Sequence, residues 1–170
     1  MIVKQEIKLS VRNLVEFILR YGSIDTTSVG INNRQVEGTR IHKKIQKSSG
    51  EDYEAEVALK YRFEAEEFIL NIEGRADGII KGKNRITIDE IKTTTAPLKL
   101  IDENFSLLHW AQAKCYAFIY SQNNNLDILD IRLTYYHLNT KEIIYFNKTV
   151  CKLELEEFFY DLIRRAEYAF

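Results

Sequence analysis

Residues 86 to 95 read "ITIDEIKTTT", and no other segment limits the fold so sharply: a strand written in β-branched residues carries an acid and a base in the row that its isoleucines occupy. Side chains two apart share a face, so Ile86, Ile88, Glu90 and Lys92 line one side while Thr87, Asp89, Ile91 and Thr93 line the other. A core-facing row thus turns charged. Burying an acid and a base costs on the order of several kcal/mol unless they pair or hold a metal, so the segment is either a solvated strand end or a site.

What precedes it is the other half of a hairpin. Residues 66 to 80, "EEFILNIEGRADGII", and 85 to 93, "RITIDEIKT", flank "KGKN", whose Gly and Asn suit a tight turn. Partners across that turn sum to about 165 in residue number, which brings Asp77 close to Asp89 and Glu90. Before the hairpin, "YEAEVALKYRF" alternates Ala55, Val57, Leu59 and Tyr61 against Glu54, Glu56, Ala58 and Lys60, a further strand.

Helices are legible on both sides. Ser10 caps a helix from Val11 to Arg20, with Gly22 after its end. A second, near Gln35 to Gln46, puts Gly38, Ile41, His42 and Ile45 on one face and so turns His42 inward. Pro97 closes the hairpin strand, and a helix of roughly Leu107 to Tyr120 carries Leu108, Ala111, Gln112, Cys115, Tyr116 and Ile119 on one stripe. "ILDIRLTYYHL" and "EIIYFNKTV" form a second hairpin around "NTK", and an amphipathic helix runs on to Phe170. This order predicts a central mixed sheet flanked by helices, in the α/β or α+β class.

At 170 residues, 45% apolar and 12% aromatic, the chain is expected to fold as one domain over 1–170. A net charge of -1, from 24 basic and 25 acidic residues, excludes the overall basic field of many nucleic-acid binders, so an anionic partner must meet a local patch. Arg75, Lys81, Lys83 and Lys92 are candidates for that patch, as is the run "HKKIQK" at 42 to 47. Two cysteines cannot build a four-thiolate cluster and fit a reducing, cytoplasmic setting, and no segment reaches the about 18 apolar residues of a membrane span.

The chemistry concentrates on Asp77, Glu90 and Lys92. Carboxylates converging from neighbouring strands supply hard oxygen ligands for Mg²⁺ or Mn²⁺, and such an ion activates water and steadies charge on a phosphoryl oxygen. A lysine on the face of Glu90 positions that water or stabilises the developing charge. The alternative is an ionic cluster at a solvated sheet end. His42 likewise reads as a metal or water ligand or as a hydrogen-bonded core histidine, and Gln112 and Tyr116 as contacts to phosphate or lysine or as partners of buried backbone groups.

Taken together, "GTRIH" (Gly38 to His42), "GRADGI" with Asp77, "EIK" (Glu90 to Lys92) and "QAKCY" (Gln112 to Tyr116) occur in an order that resembles the PD-(D/E)xK nuclease superfamily, and within it the RecB-like nucleases. The resemblance implies a restriction-endonuclease-like core and a Mg²⁺- or Mn²⁺-dependent DNA nuclease, in particular an exonuclease in DNA repair or processing. It implies a cation on Asp77, Glu90 and the Ile91 carbonyl with His42 as accessory ligand, and Lys92 as the catalytic lysine. Gln112 and Tyr116 would support the lysine and DNA, and Glu56 would add an acid at the edge of the site. With two cysteines the iron-sulfur cluster of some relatives is not expected. The opening "VRNLVEFILRYGSID" also resembles the amino-terminal nuclease module of certain bacterial DEAH-type DNA helicases, so a helicase motor in the same chain or complex is an expected partner, and the chain is read as either whole or cut from a longer one. The competing expectation is a catalytically inactive nucleic-acid-binding or interaction module of the same fold.

Overall fold

The charged row at 86–92 lies on an interior strand. The computed structural model of the chain describes residues 3–20 and 31–168; Gly22, expected after the first helix, and Phe170, expected to end the last, lie outside them. The elements run β1 (Gln5–Ser10), α1 (Val11–Arg20), α2 (Ile31–Ser48), β2 (Tyr53–Glu64), β3 (Phe68–Lys81), β4 (Ile86–Thr94), a short 3₁₀ turn, α3 (Leu107–Asn124), β5 (Ile128–His137), β6 (Ile143–Cys151) and α4 (Lys152–Glu167). The six strands form one mixed sheet flanked by the four helices, as the element order predicts. Three details differ. A strand, β1, precedes the first helix; α2 begins at Ile31 rather than near Gln35; and the hairpin pairs Gly78 with Asp89 through Lys81 with Ile86, so partners sum to 167.

Caps fix the helix ends. The Ser10 hydroxyl accepts from the Asn13 N–H at 3.0 Å, so β1 passes into α1 without a loop. Ser106 does the same for α3, and Asn125, in the left-handed conformation at φ 51°, ends it. Helices α1, α3 and α4 cover one face, where Phe118 of α3 stacks on Phe159 of α4 at 4.0 Å and Tyr61 of β2 meets both edge-on. Each such ring, fully buried, contributes roughly 1.5–3 kcal/mol. Helix α2 covers the other face through Ile41 and Ile45 on Ile91 and Tyr136.

Strand β3 organises the sheet. β2 pairs along one edge of it, from residue 69 to 80. The other edge is shared: β1 lies parallel to residues 68–73 and β4 antiparallel to residues 78–81. Among the described residues, no strand therefore lies beside residues 74–77 on that edge.

Opposite this gap the two long strands change face. Val57, Leu59, Tyr61 and Phe63 of β2 pack with the α1, α3 and α4 layer, yet the ring of Tyr53 lies on the opposite face, where its hydroxyl donates to Asp89. β3 does the same, since Gly74 sits under Tyr116 of α3 and Gly78 under Tyr53. Strict alternation would put each pair on one side. The change centres on Glu56 and Asp77, the one facing pair missing from the ladder, and Glu56 has φ 55° in mid-strand. A non-glycine residue in that region marks a local kink of the kind a bulge produces.

Candidate active site

The gap beside β3 is where the charged side chains meet. Asp77 is the last residue before β3 begins to pair with β4, and Glu90 is the first of β4 past that pairing. With no strand between them there, the Ile91 N–H donates to Asp77 Oδ2 at 2.7 Å. From α2, His42 Nδ1 stands 3.4 Å from Asp77 Oδ1. From α3, Gln112 Oε1 accepts from Lys92 Nζ at 2.6 Å, and Lys92 Nζ lies 3.1 Å from Glu90 Oε1. The second oxygen of Glu90, Oε2, is buried and finds no partner among the described residues. A groove of about 600 Å³ opens beside the cluster, lined by Arg12 of α1, Gly38, Thr39 and His42 of α2, and residues 91–93 of β4.

Burial, and then the neighbouring charge of Asp77, push the Glu90 carboxyl up to about 7, against the pull of Lys92. His42 is held above its ordinary value: burial alone would lower it, but its bond to Asp77 and the charges of Asp77 and Glu90 outweigh that. His109, one turn before Gln112, is driven down to about 3 by burial and then by the charge of Lys92, and its Nδ1 bonds the Tyr135 hydroxyl at 2.8 Å. It is therefore neutral at ordinary pH. Two carboxylates, one with an orphaned oxygen, beside an ammonium fixed by an amide form a site that repels itself unless a cation or a proton joins it.

The PD-(D/E)XK nuclease superfamily model matches residues 20–168. The chain belongs to that superfamily. The mixed sheet between helices is accordingly the α+β, restriction-endonuclease-like arrangement. Among solved structures, a crystal structure titled SSO0001 is 22% identical with TM-score 0.62, covering 95% of this chain and 78% of that one, which shows shared fold. A second, an alkaline exonuclease from Laribacter hongkongensis, is 11% identical with TM-score 0.46, covering 95% and 91%. No curated protein sequence matches.

Of the residues that the sequence singles out in this member of the superfamily, Asp77 lies on β3 and Glu90 and Lys92 on β4. Asp77, Glu90, Lys92, His42 and Gln112 converge, whereas Tyr116 lies over Gly74 and is not bonded to the lysine. His42, expected to face inward, is half-buried and reaches across to Asp77. Glu56 is exposed, and its carboxylate accepts from Gln46 Nε2 at 2.9 Å. The expected basic patch is thinned: Lys81 is paired with Glu54 at 2.8 Å and Lys92 with Glu90, whereas Lys43, Lys44 and Lys47 of "HKKIQK" are exposed on α2. His109 and Trp110 lie in the first turn of α3.

Two features escape the sequence reading. Gln46 is buried on α2 and bonds both Glu56 and the Asp77 carbonyl at 2.9 Å, and its only signal was being polar one position from Ile45. Asp89, fully buried on the other face of β4, accepts from Tyr53, Thr134 and the Arg132 fork at 2.6–3.1 Å. Its signal was sharing a row with Ile91.

Superfamily members generally use a divalent ion, and the residues here fit one. The unpaired Glu90 Oε2 beside Asp77 offers hard oxygen donors to a small cation. Among the described residues no three His, Cys, Asp or Glu side chains close into a cage. That pattern suits an ion held by one or two carboxylates and completed by water and phosphate, as Mg²⁺ is, more than a caged zinc.

Proposed function

We propose that this nuclease domain is a Mg²⁺- or Mn²⁺-dependent DNA nuclease of the RecB-like type that hydrolyses phosphodiester bonds, working as an exonuclease. The observation that carries the reading is the buried Glu90 Oε2, without a hydrogen-bond partner among the described residues, on a carboxyl whose other oxygen lies 3.1 Å from Lys92 Nζ and which feels the charge of Asp77. Asp77 and Glu90 would hold the cation, with His42 and the Ile91 carbonyl beside them. When bound, the ion supplies an activated water and neutralises charge developing on the phosphoryl oxygens.

The chain's own residues supply the rest. Gln112 fixes Lys92 so that its ammonium orients the nucleophile and meets growing negative charge without reorganising. The Ile91 N–H anchors one Asp77 oxygen and so fixes the aim of the carboxylate. Glu90 sheds its proton near neutral pH and becomes an acceptor. The groove beside the cluster admits the strand, with Arg12 at its side to meet a phosphate.

Closed-circular and linear DNA incubated with Mg²⁺ or Mn²⁺ test this, with wild type compared against Asp77→Ala and Lys92→Ala. Degradation of linear DNA by wild type alone is the expected result. Equal degradation by all three would mean contamination, and none by wild type would favour a binding module that has lost turnover.

A further inference from the structure

Glu56 holds a backbone conformation that its residue type disfavours, at the one point where two strands change face. At φ 55° it occupies the left-handed region, where a side chain with Cβ is strained. It stands opposite Asp77, in the only facing position skipped by an otherwise continuous β2–β3 ladder from Tyr53 with Ile80 to Glu64 with Ile69. Before the kink, Gly74 and Leu59 face the α3 layer; beyond it, Gly78 and Tyr53 face the opposite way. Counted back by alternation from Ile79, whose partner Ile88 lies in the row of Glu90, Asp77 falls on the Glu90 side. An unkinked β3 would send Asp77 to the side of Asp89.

Helix α2 pins the kink. Gln46 is 8% exposed, and its single amide nitrogen donates twice, to Glu56 Oε1 and to the Asp77 main-chain carbonyl, both at 2.9 Å. One side chain of α2 thereby ties the strained residue to the acid across from it. No other described side chain bonds that carbonyl.

We propose that Gln46 and Glu56 are positioning residues: the left-handed backbone at Glu56, clamped by the Gln46 amide, aims Asp77 at Glu90. On this account Glu56 acts through its backbone, with its carboxylate serving the clamp and not a cation. The proposal rests on the metal-dependent nuclease reading above. Misplacing a catalytic group by about 1 Å costs on the order of 100-fold in rate, which sets the size of the effect.

Three variants separate the roles. Gln46→Met keeps the buried bulk and removes both bonds; Glu56→Gly removes the carboxylate but adopts the left-handed backbone freely; Glu56→Val removes the carboxylate and forces the strand straight. Mn²⁺ binding by calorimetry, melting temperature, and kcat and KM on linear DNA are measured for each. Gln46→Met is expected to weaken Mn²⁺ binding and lower kcat by about tenfold or more, with KM for DNA within about threefold. Glu56→Gly is expected to retain at least about ten times the kcat of Glu56→Val. Gln46→Met matching wild type in Mn²⁺ binding and kcat would overturn the clamp, and equal losses in both Glu56 variants would assign the role to the carboxylate. A fold failure of Gln46→Met leaves the Glu56 pair, on an exposed residue, to decide. Wild type that neither binds Mn²⁺ nor cuts DNA would remove the nuclease reading and this proposal with it.

Discussion

Glu90 sits in a position that a carboxylate tolerates poorly. Its pKa, raised to about 7 from an ordinary 4.5, means the folded state prefers it protonated. That preference favours folding fully below pH 4.5 and is lost as pH rises through about 7. Glu90→Gln, a permanent mimic of the protonated group, is therefore expected to melt higher than wild type at pH 8 without added metal and at about the same temperature at pH 4. Thermal melts at both pH values check this, and a gain of equal size at pH 4 would contradict it. Asp89, next in sequence, has the opposite circumstances. Every oxygen lone pair it buries meets a donor, from Tyr53, Thr134 or Arg132. Arg132→Met should cost about 3 kcal/mol in urea unfolding, since it strands a charge in a dry interior. A loss well under about 1 kcal/mol would show that Tyr53 and Thr134 suffice alone.

The elements hold these residues because glycine lets them approach. A Cβ on Gly78 would fall inside the ring of Tyr53, whose hydroxyl holds Asp89 at 2.7 Å. Gly78→Ala must push that ring aside and break the bond, so a destabilisation of about 1–3 kcal/mol is expected from chemical denaturation. Tyr53→Ala in the same background should recover part of it. Much at this level was legible in the sequence: the alternation of Ile86, Ile88, Glu90 and Lys92 and the "KGKN" turn gave the hairpin that joins Asp77 to Glu90, two residue numbers off in register. β1 was missed because an edge strand half open to solvent, "QEIKLS", shows little contrast between its faces. The change of face at Glu56 was illegible for a different reason. Glutamate is no left-handed residue by preference, and its backbone is bent by tertiary bonds from α2 that no local pattern encodes. Gln46 and Arg132 belong to the same class, since each acts on partners distant in sequence.

At the scale of the molecule, side chains of both helical layers reach the charged cluster at the break in the sheet. His42 and Gln46 come from one layer and Gln112 from the other, so a cation on Asp77 and Glu90 would draw both together. Added Mn²⁺ is expected to raise the melting temperature, by about 2.7 kcal/mol of stability at a hundred times its dissociation constant, with reversal by chelator. Glu90→Ala should abolish the shift; an unchanged shift would place the ion elsewhere. The shared edge of β3 also governs when this centre can exist during synthesis. β1 leaves the ribosome first, but its seat on residues 68–73 emerges only after β2, and the acid and base of β4 later still. A nascent chain therefore cannot bring Asp77 beside Glu90 and Lys92 until β3 and β4 have both been made and paired, nor fix Lys92 until α3 follows with Gln112.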